Sequence, residues 1–263
     1  YTYDINSILE VEVTVVSTQL KKRLVIKKIF SNCLSAMLIF NGISTGVSAF
    51  SSETHQYTTL RGLNILDKVQ EEKYSKFYTQ KGRDQIFTYC TRPDEDEIEG
   101  AYKYHFYNPA TEKNFMGEDD SALTRCKNHY NQAVYYYKSG NREAAFEELG
   151  RSLHFLEDLN TPVHTNNQDL LDTAFNFTFH VNFEDKCKDI QERVISWLLK
   201  REFRYYEINS VENIAKSCAY LANDNFYALY EKLLPREIVA ENSVKNAQKA
   251  VAGMLYKFYL DVN

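Results

Sequence analysis

His154, Asp158 and His164 fall within the eleven residues of HFLEDLNTPVH, in a chain that has 6 histidines altogether. His154 and Asp158 are four apart, so a helix places them on one face. A second pair with the same spacing, His180 and Glu184, follows in HVNFEDK. Imidazole and carboxylate at i and i+4 offer two ligands of a zinc-type site from one rigid turn. One such pair alone is more often a solvated ion pair. Two pairs, with His164 between them, point to metal. His55 in SSETHQYTTL and His105 in YKYHFYNP extend the set, the latter just after the acidic run PDEDE. In isolation that run reads as a solvated loop and His105 as a capping or core residue. His129, in CKNHYNQ, reads as a surface helix residue.

These residues need helices to hold them. Apolar periodicity predicts helices at about 55–78, 119–138, 142–159, 179–202, 209–233 and 237–261. The clearest is NREAAFEELGRSLHFLEDLN, where Ala144, Ala145, Leu149, Leu153 and Leu156 form a stripe behind the cap Asn141 and Pro162 ends the run. Two polar connections, RPDEDEIEGAYKYHFYNPATEKNFMGEDD and TPVHTNNQDLLDTAFNFT, carry several of the candidate ligands. With 263 residues, 4 Pro, 9 Gly and no internal repeat, the expectation is a single all-α domain over residues 50–263. The net charge of -5 supplies no basic field for nucleic acid.

The amino end differs from the rest. Lys21, Lys22, Arg23, Lys27 and Lys28 precede the uncharged run SNCLSAMLIFNGISTGVSA, and Val47-Ser48-Ala49 has the small residues of a cleavage site. Residues 21–49 are therefore expected to be a secretory leader, with Phe50 the first mature residue and the protein extracellular. Residues 1–20, which begin without Met, are expected to be an upstream extension. Cys90, Cys126, Cys187 and Cys218 remain after cleavage. Their spacing is not of the CxxC metal type, and it leaves their pairing open.

In order, His55, PDxD at 93–96, HFYxP at 105–109, HxxxDxxxPxH at 154–164 and HxxxE at 180–184 resemble the secreted zinc-dependent phospholipases C of Gram-positive bacteria, including the catalytic domain of clostridial alpha-toxin. The resemblance runs from about Phe50 to the C-terminal NAQKAVAGMLYKFYLDV. It implies three zinc ions in a cleft between helices. One would be held by Asp94, His105, His154 and Asp158. A second would be held by His164, His180 and Glu184. The third would take His55, Asp158 as a bridge, and the free amine and carbonyl of Phe50. The implied reaction is hydrolysis of a phospholipid such as phosphatidylcholine to diacylglycerol and a phosphorylated head group, with Asp94 as general base. Asp96 is the alternative assignment in the same motif. Glu53 and Tyr102 fall near the family's choline-reading positions, and a monomer acting at a lipid surface is expected.

The chain departs from the family in places. The family begins with Trp, whereas the only Trp here is Trp197. Glu157 stands where the family has Gly, which should favour the helix and add a charge near the rim of the site. The sequence given stops at Asn263 without alpha-toxin's C-terminal β-sandwich, so toxin-like haemolysis is not assumed. Two other functions fit parts of the pattern: a three-zinc single-strand nuclease of the same fold, and an inactive, zinc-stabilised secreted binding protein. HxxxE, where the nucleases usually end in Asp, and the acidic balance favour the phospholipase.

Overall fold

The computed structural model describes residues 2–3, 8–15, 20–27, 51–70, 72–96, 101–166, 170–200 and 205–263. Residues 1–45 and 46–263 form two separate units. In the first, β1 (Thr2–Tyr3), β2 (Ile8–Val15) and β3 (Leu20–Lys27) make an antiparallel sheet in that order, with Ile8 opposite Lys27 and Val15 opposite Leu20. Of the leader predicted over 21–49, residues 21–27 are described, in β3. Phe50 and the predicted cleavage site lie outside the described residues.

The second unit is all-α: α1 (Ser52–Gln70), α2 (Glu72–Phe77), α3 (Gln80–Tyr89), α4 (Arg92–Asp96), α5 (Ala122–Lys138), α6 (Arg142–Asp158), α7 (Leu170–Lys200), α8 (Val211–Tyr230) and α9 (Arg236–Val262), with 3-10 turns at Ala101–His105 and Pro162–His164. α5 and α6 form a helical hairpin. Gly140, at φ +85°, takes the left-handed conformation that closes α5. Asn141 Oδ1 then accepts from the Ala144 amide at 3.2 Å and starts α6.

Ala145, Leu149, Leu153 and Leu156 of the predicted stripe are fully buried. Burial does not stop at the stripe, however. Every residue from Ser152 to Asp158 is buried, so the end of α6 runs through the interior and carries His154, Glu157 and Asp158 with it. Polar groups placed there need partners. Gly150 brings α3 close: a Cβ at this position would lie 2.8 Å from the Ile86 carbonyl oxygen and 2.9 Å from Tyr89 Cβ.

α9 packs on α1 and α7 through small and branched residues, among them Ala240, Val244, Ala247 and Val251. Phe77, Tyr137, Phe146 and Phe258 make an aromatic cluster, and Tyr78 donates to the Leu255 carbonyl at 2.6 Å.

Several elements, α4 within a segment read as a connection among them, differ from the sequence expectation. The first predicted helix is divided into α1 and α2. α3 lies where no helix was expected; its segment QKGRDQIFTY buries only Gly82 and Ile86 and is short and mostly polar. α7 begins at Leu170, within the segment read as a connection. Cys90, Cys126, Cys187 and Cys218 are all free, buried thiols. No described helix is long and apolar enough to cross a membrane.

Candidate metal centre

α6 supplies the middle of the site. His154 Nδ1 donates to the Cys90 carbonyl at 2.8 Å, a carbonyl that α3 presents where Gly150 lets it approach. Because a carbonyl can only accept, Nδ1 carries a proton, and in the neutral ring the lone pair is on Nε2. That nitrogen lies 3.0 Å from His105 Nδ1 and 3.5 Å from both Asp94 Oδ1 and Asp158 Oδ2. His105, from the 3-10 turn, approaches Asp158 Oδ2 at 2.9 Å and Asp94 Oδ1 at 3.8 Å through its Nδ1.

The same device recurs next door. His164 Nδ1 donates to the His105 carbonyl at 2.9 Å, leaving Nε2 to face Glu184 Oε1 at 3.4 Å. α7 adds His180, whose Nε2 is 2.6 Å from that same carboxylate oxygen. This contact is too poorly aligned to count as a hydrogen bond. On the α1 side, His55 is fully buried and stacks on His154 with ring centroids 4.0 Å apart. Its Nε2 is 3.7 Å from Asp158 Oδ1.

The ligand atoms fall into three sets, each within 4.8 Å internally: His55, His154 and Asp158; Asp94, His105 and His154; His164, His180 and Glu184. The residues fit a cation. Donors around a tetrahedral zinc with bonds of about 2.0–2.2 Å are about 3.3–3.6 Å apart, close to several of the separations found here. Asp158 Oδ1 is buried without a hydrogen-bond partner among the described residues, although it sits amid imidazoles. Burial drives His180 down to about 4 and Glu184 up to about 8. For Asp158, burial is outweighed by His154 and His105, which hold the carboxyl below its usual range.

The remaining predicted residues are placed differently. Asp96 turns away to Arg151 and Arg92, while Asp94 faces the imidazoles. Glu53 pairs with Lys188 at 2.6 Å on the surface. Tyr102 stacks on Phe115, centroids 5.5 Å apart. His129 is not a plain surface residue: it stacks on Phe155 and reaches Glu148 at 2.6 Å. Glu157 corrects an expectation. It does not sit near a rim but is fully buried, with Oε2 2.5 Å from His55 Nδ1 and Oε1 accepting from the Thr59 hydroxyl at 2.9 Å. Its carboxyl is raised well above the usual range by burial, and burial likewise lowers His55.

No family model matches the chain. Among curated proteins it is similar to the phospholipase C of Clostridium perfringens (strain 13 / Type A), 23% identical over 275 residues, covering 92% of this chain and 68% of the relative. The phospholipase C of Clostridium novyi is 28% identical over 197 residues, 66% of this chain and 48% of that one. Among solved structures, alpha-toxin from Clostridium absonum superposes with a TM-score of 0.65 at 23% identity, over 84% of this chain and 65% of the toxin. The chain thus spans about half to two thirds of the length of these relatives. The sequence is similar over much of its length to clostridial phospholipases C, and its all-α unit has the fold of alpha-toxin over the aligned part.

Proposed function

We propose that the protein is a secreted zinc metallophosphodiesterase that cleaves the glycerol-side phosphodiester of phospholipids such as phosphatidylcholine. The observation that carries this reading is the convergence of three His and carboxylate sets, two of them sharing His154, in a buried centre of a chain related to phospholipases C. Zinc held there would neutralise phosphate oxygens and acidify a bound water. His105, His154 and Asp158 would act as ligands with Asp94, His164 and His180 with Glu184, and His55 with Asp158. Asp94 would also accept the proton released as water attacks phosphorus, and as the bond to phosphorus breaks the diacylglycerol oxygen would leave and take up a proton from solvent. The Nδ1 donations of His154 and His164 hold both rings with Nε2 ready to ligate before metal arrives.

The test is release of diacylglycerol and phosphocholine from phosphatidylcholine micelles, with chelator and with zinc restored, beside single-stranded DNA as the other substrate. Zinc-restored lipid cleavage with intact DNA is the expected result. Cleavage of DNA without lipid turnover would replace this function with a nuclease, and bound zinc without turnover of either substrate would leave a structural metal cluster.

A further inference from the structure

His55 and Glu157 lie 102 residues apart in sequence and meet in the interior, where both side chains are fully buried. The contact is braced. Glu157 Oε1 is held by the Thr59 hydroxyl from the next turn of α1, so one helix supplies both the imidazole and the group that fixes the carboxylate facing it. The ring is also gripped from its face by His154 and from its other edge by Asp158, the residue after Glu157. Two adjacent residues of α6 therefore address opposite nitrogens of one imidazole. A buried carboxylate beside Asp158 is unfavourable unless positive charge lies against the pair.

We infer that Glu157 is a positioning residue that fixes His55 for metal binding, with Nδ1–H donating to Glu157 Oε2 and the Nε2 lone pair directed at the position shared with Asp158. The inference rests on the metal-centre reading above. It follows from the chemistry of the ring: if Nε2 binds a cation, the remaining proton must be on Nδ1, and Glu157 Oε2 is an acceptor within reach of it. Residue 157 thereby acts on metal binding through His55 and without touching the substrate.

The experiment is competitive zinc titration of the purified protein against a chromophoric chelator, for wild type, His55→Ala, Glu157→Ala, Glu157→Gln and Thr59→Val. His55→Ala identifies the zinc equivalent that His55 serves. Glu157→Ala is expected to weaken that same equivalent about 10–100-fold and leave the others unchanged. Glu157→Gln, which keeps an acceptor for Nδ1–H, should restore most of the affinity, and Thr59→Val should fall between. Imidazole nitrogen-15 spectra of the zinc-loaded protein should show His55 protonated at Nδ1. Should Glu157→Ala fail to fold, Thr59→Val and the spectra still decide. Unchanged affinity in Glu157→Ala, an equal loss across all equivalents, or His55 metallated at Nδ1 would overturn the inference alone. A wild-type protein that binds no zinc would overturn the metal-centre reading along with it.

Discussion

His154 and His164 each commit Nδ1 to a backbone carbonyl, and this choice decides which nitrogen faces the acidic residues. Asp94 is the carboxylate at this centre that combines a ligand position with the proposed proton acceptance. Asp94→Asn should therefore lower turnover by about 10²–10⁴-fold while the His164, His180 and Glu184 set still takes up metal. Steady-state kinetics beside metal analysis checks both parts. The carboxyls that burial raises also give the metal-free protein a pH signature. Glu184, at about 8 when folded against about 4.5 when unfolded, binds more protons in the folded state across that window, and Glu157 acts in the same sense. His55 and His180 act oppositely, but only below about 6.5, where an unfolded histidine titrates. Chelator-treated protein should then lose stability as pH rises from 6.5 to 8, by up to about 1.4 kcal/mol per pH unit for each shifted carboxyl. Denaturant titrations at the two pH values measure it. At this scale the sequence made the histidines and their i, i+4 carboxylates legible, because helical spacing is local. It could not disclose the Cys90 and His105 carbonyls, since every residue carries one. Nor could it disclose Glu157, whose partner lies on another helix.

The central element is α6, and its contact with α3 shows how an element sets the chemistry. Gly150 lets α3 approach until the Cys90 carbonyl reaches His154. A methyl group at residue 150 meets backbone atoms rather than a flexible side chain, so Gly150→Ala should force the helices apart. The expected loss is about 1–3 kcal/mol in urea unfolding, with weaker metal binding at His154. α6 was legible because its apolar stripe and both end signals agree. α3 was not, because a short, mostly polar segment that packs through a glycine and one isoleucine offers few apolar residues to read. The early start of α7 was obscured by the polar residues that precede Leu170, which read as a loop.

At the scale of the whole unit, the site ties together α1, α4, α6, α7 and the two 3-10 turns, which are separated widely in sequence. The all-α class of this unit could be read from composition and periodicity, and the superposed toxin agrees with it over the aligned part. Metal should stabilise this unit, because ligands brought together by folding bind only weakly in the unfolded chain. Thermal unfolding should shift to lower temperature with chelator and return with zinc. The most direct measurement is anomalous diffraction at the zinc edge from crystals grown with zinc. The account predicts peaks within the His164, His180 and Glu184 set and beside Asp158, between His55, His105 and His154. Density free of anomalous signal at those positions, in a protein saturated with zinc, would contradict it.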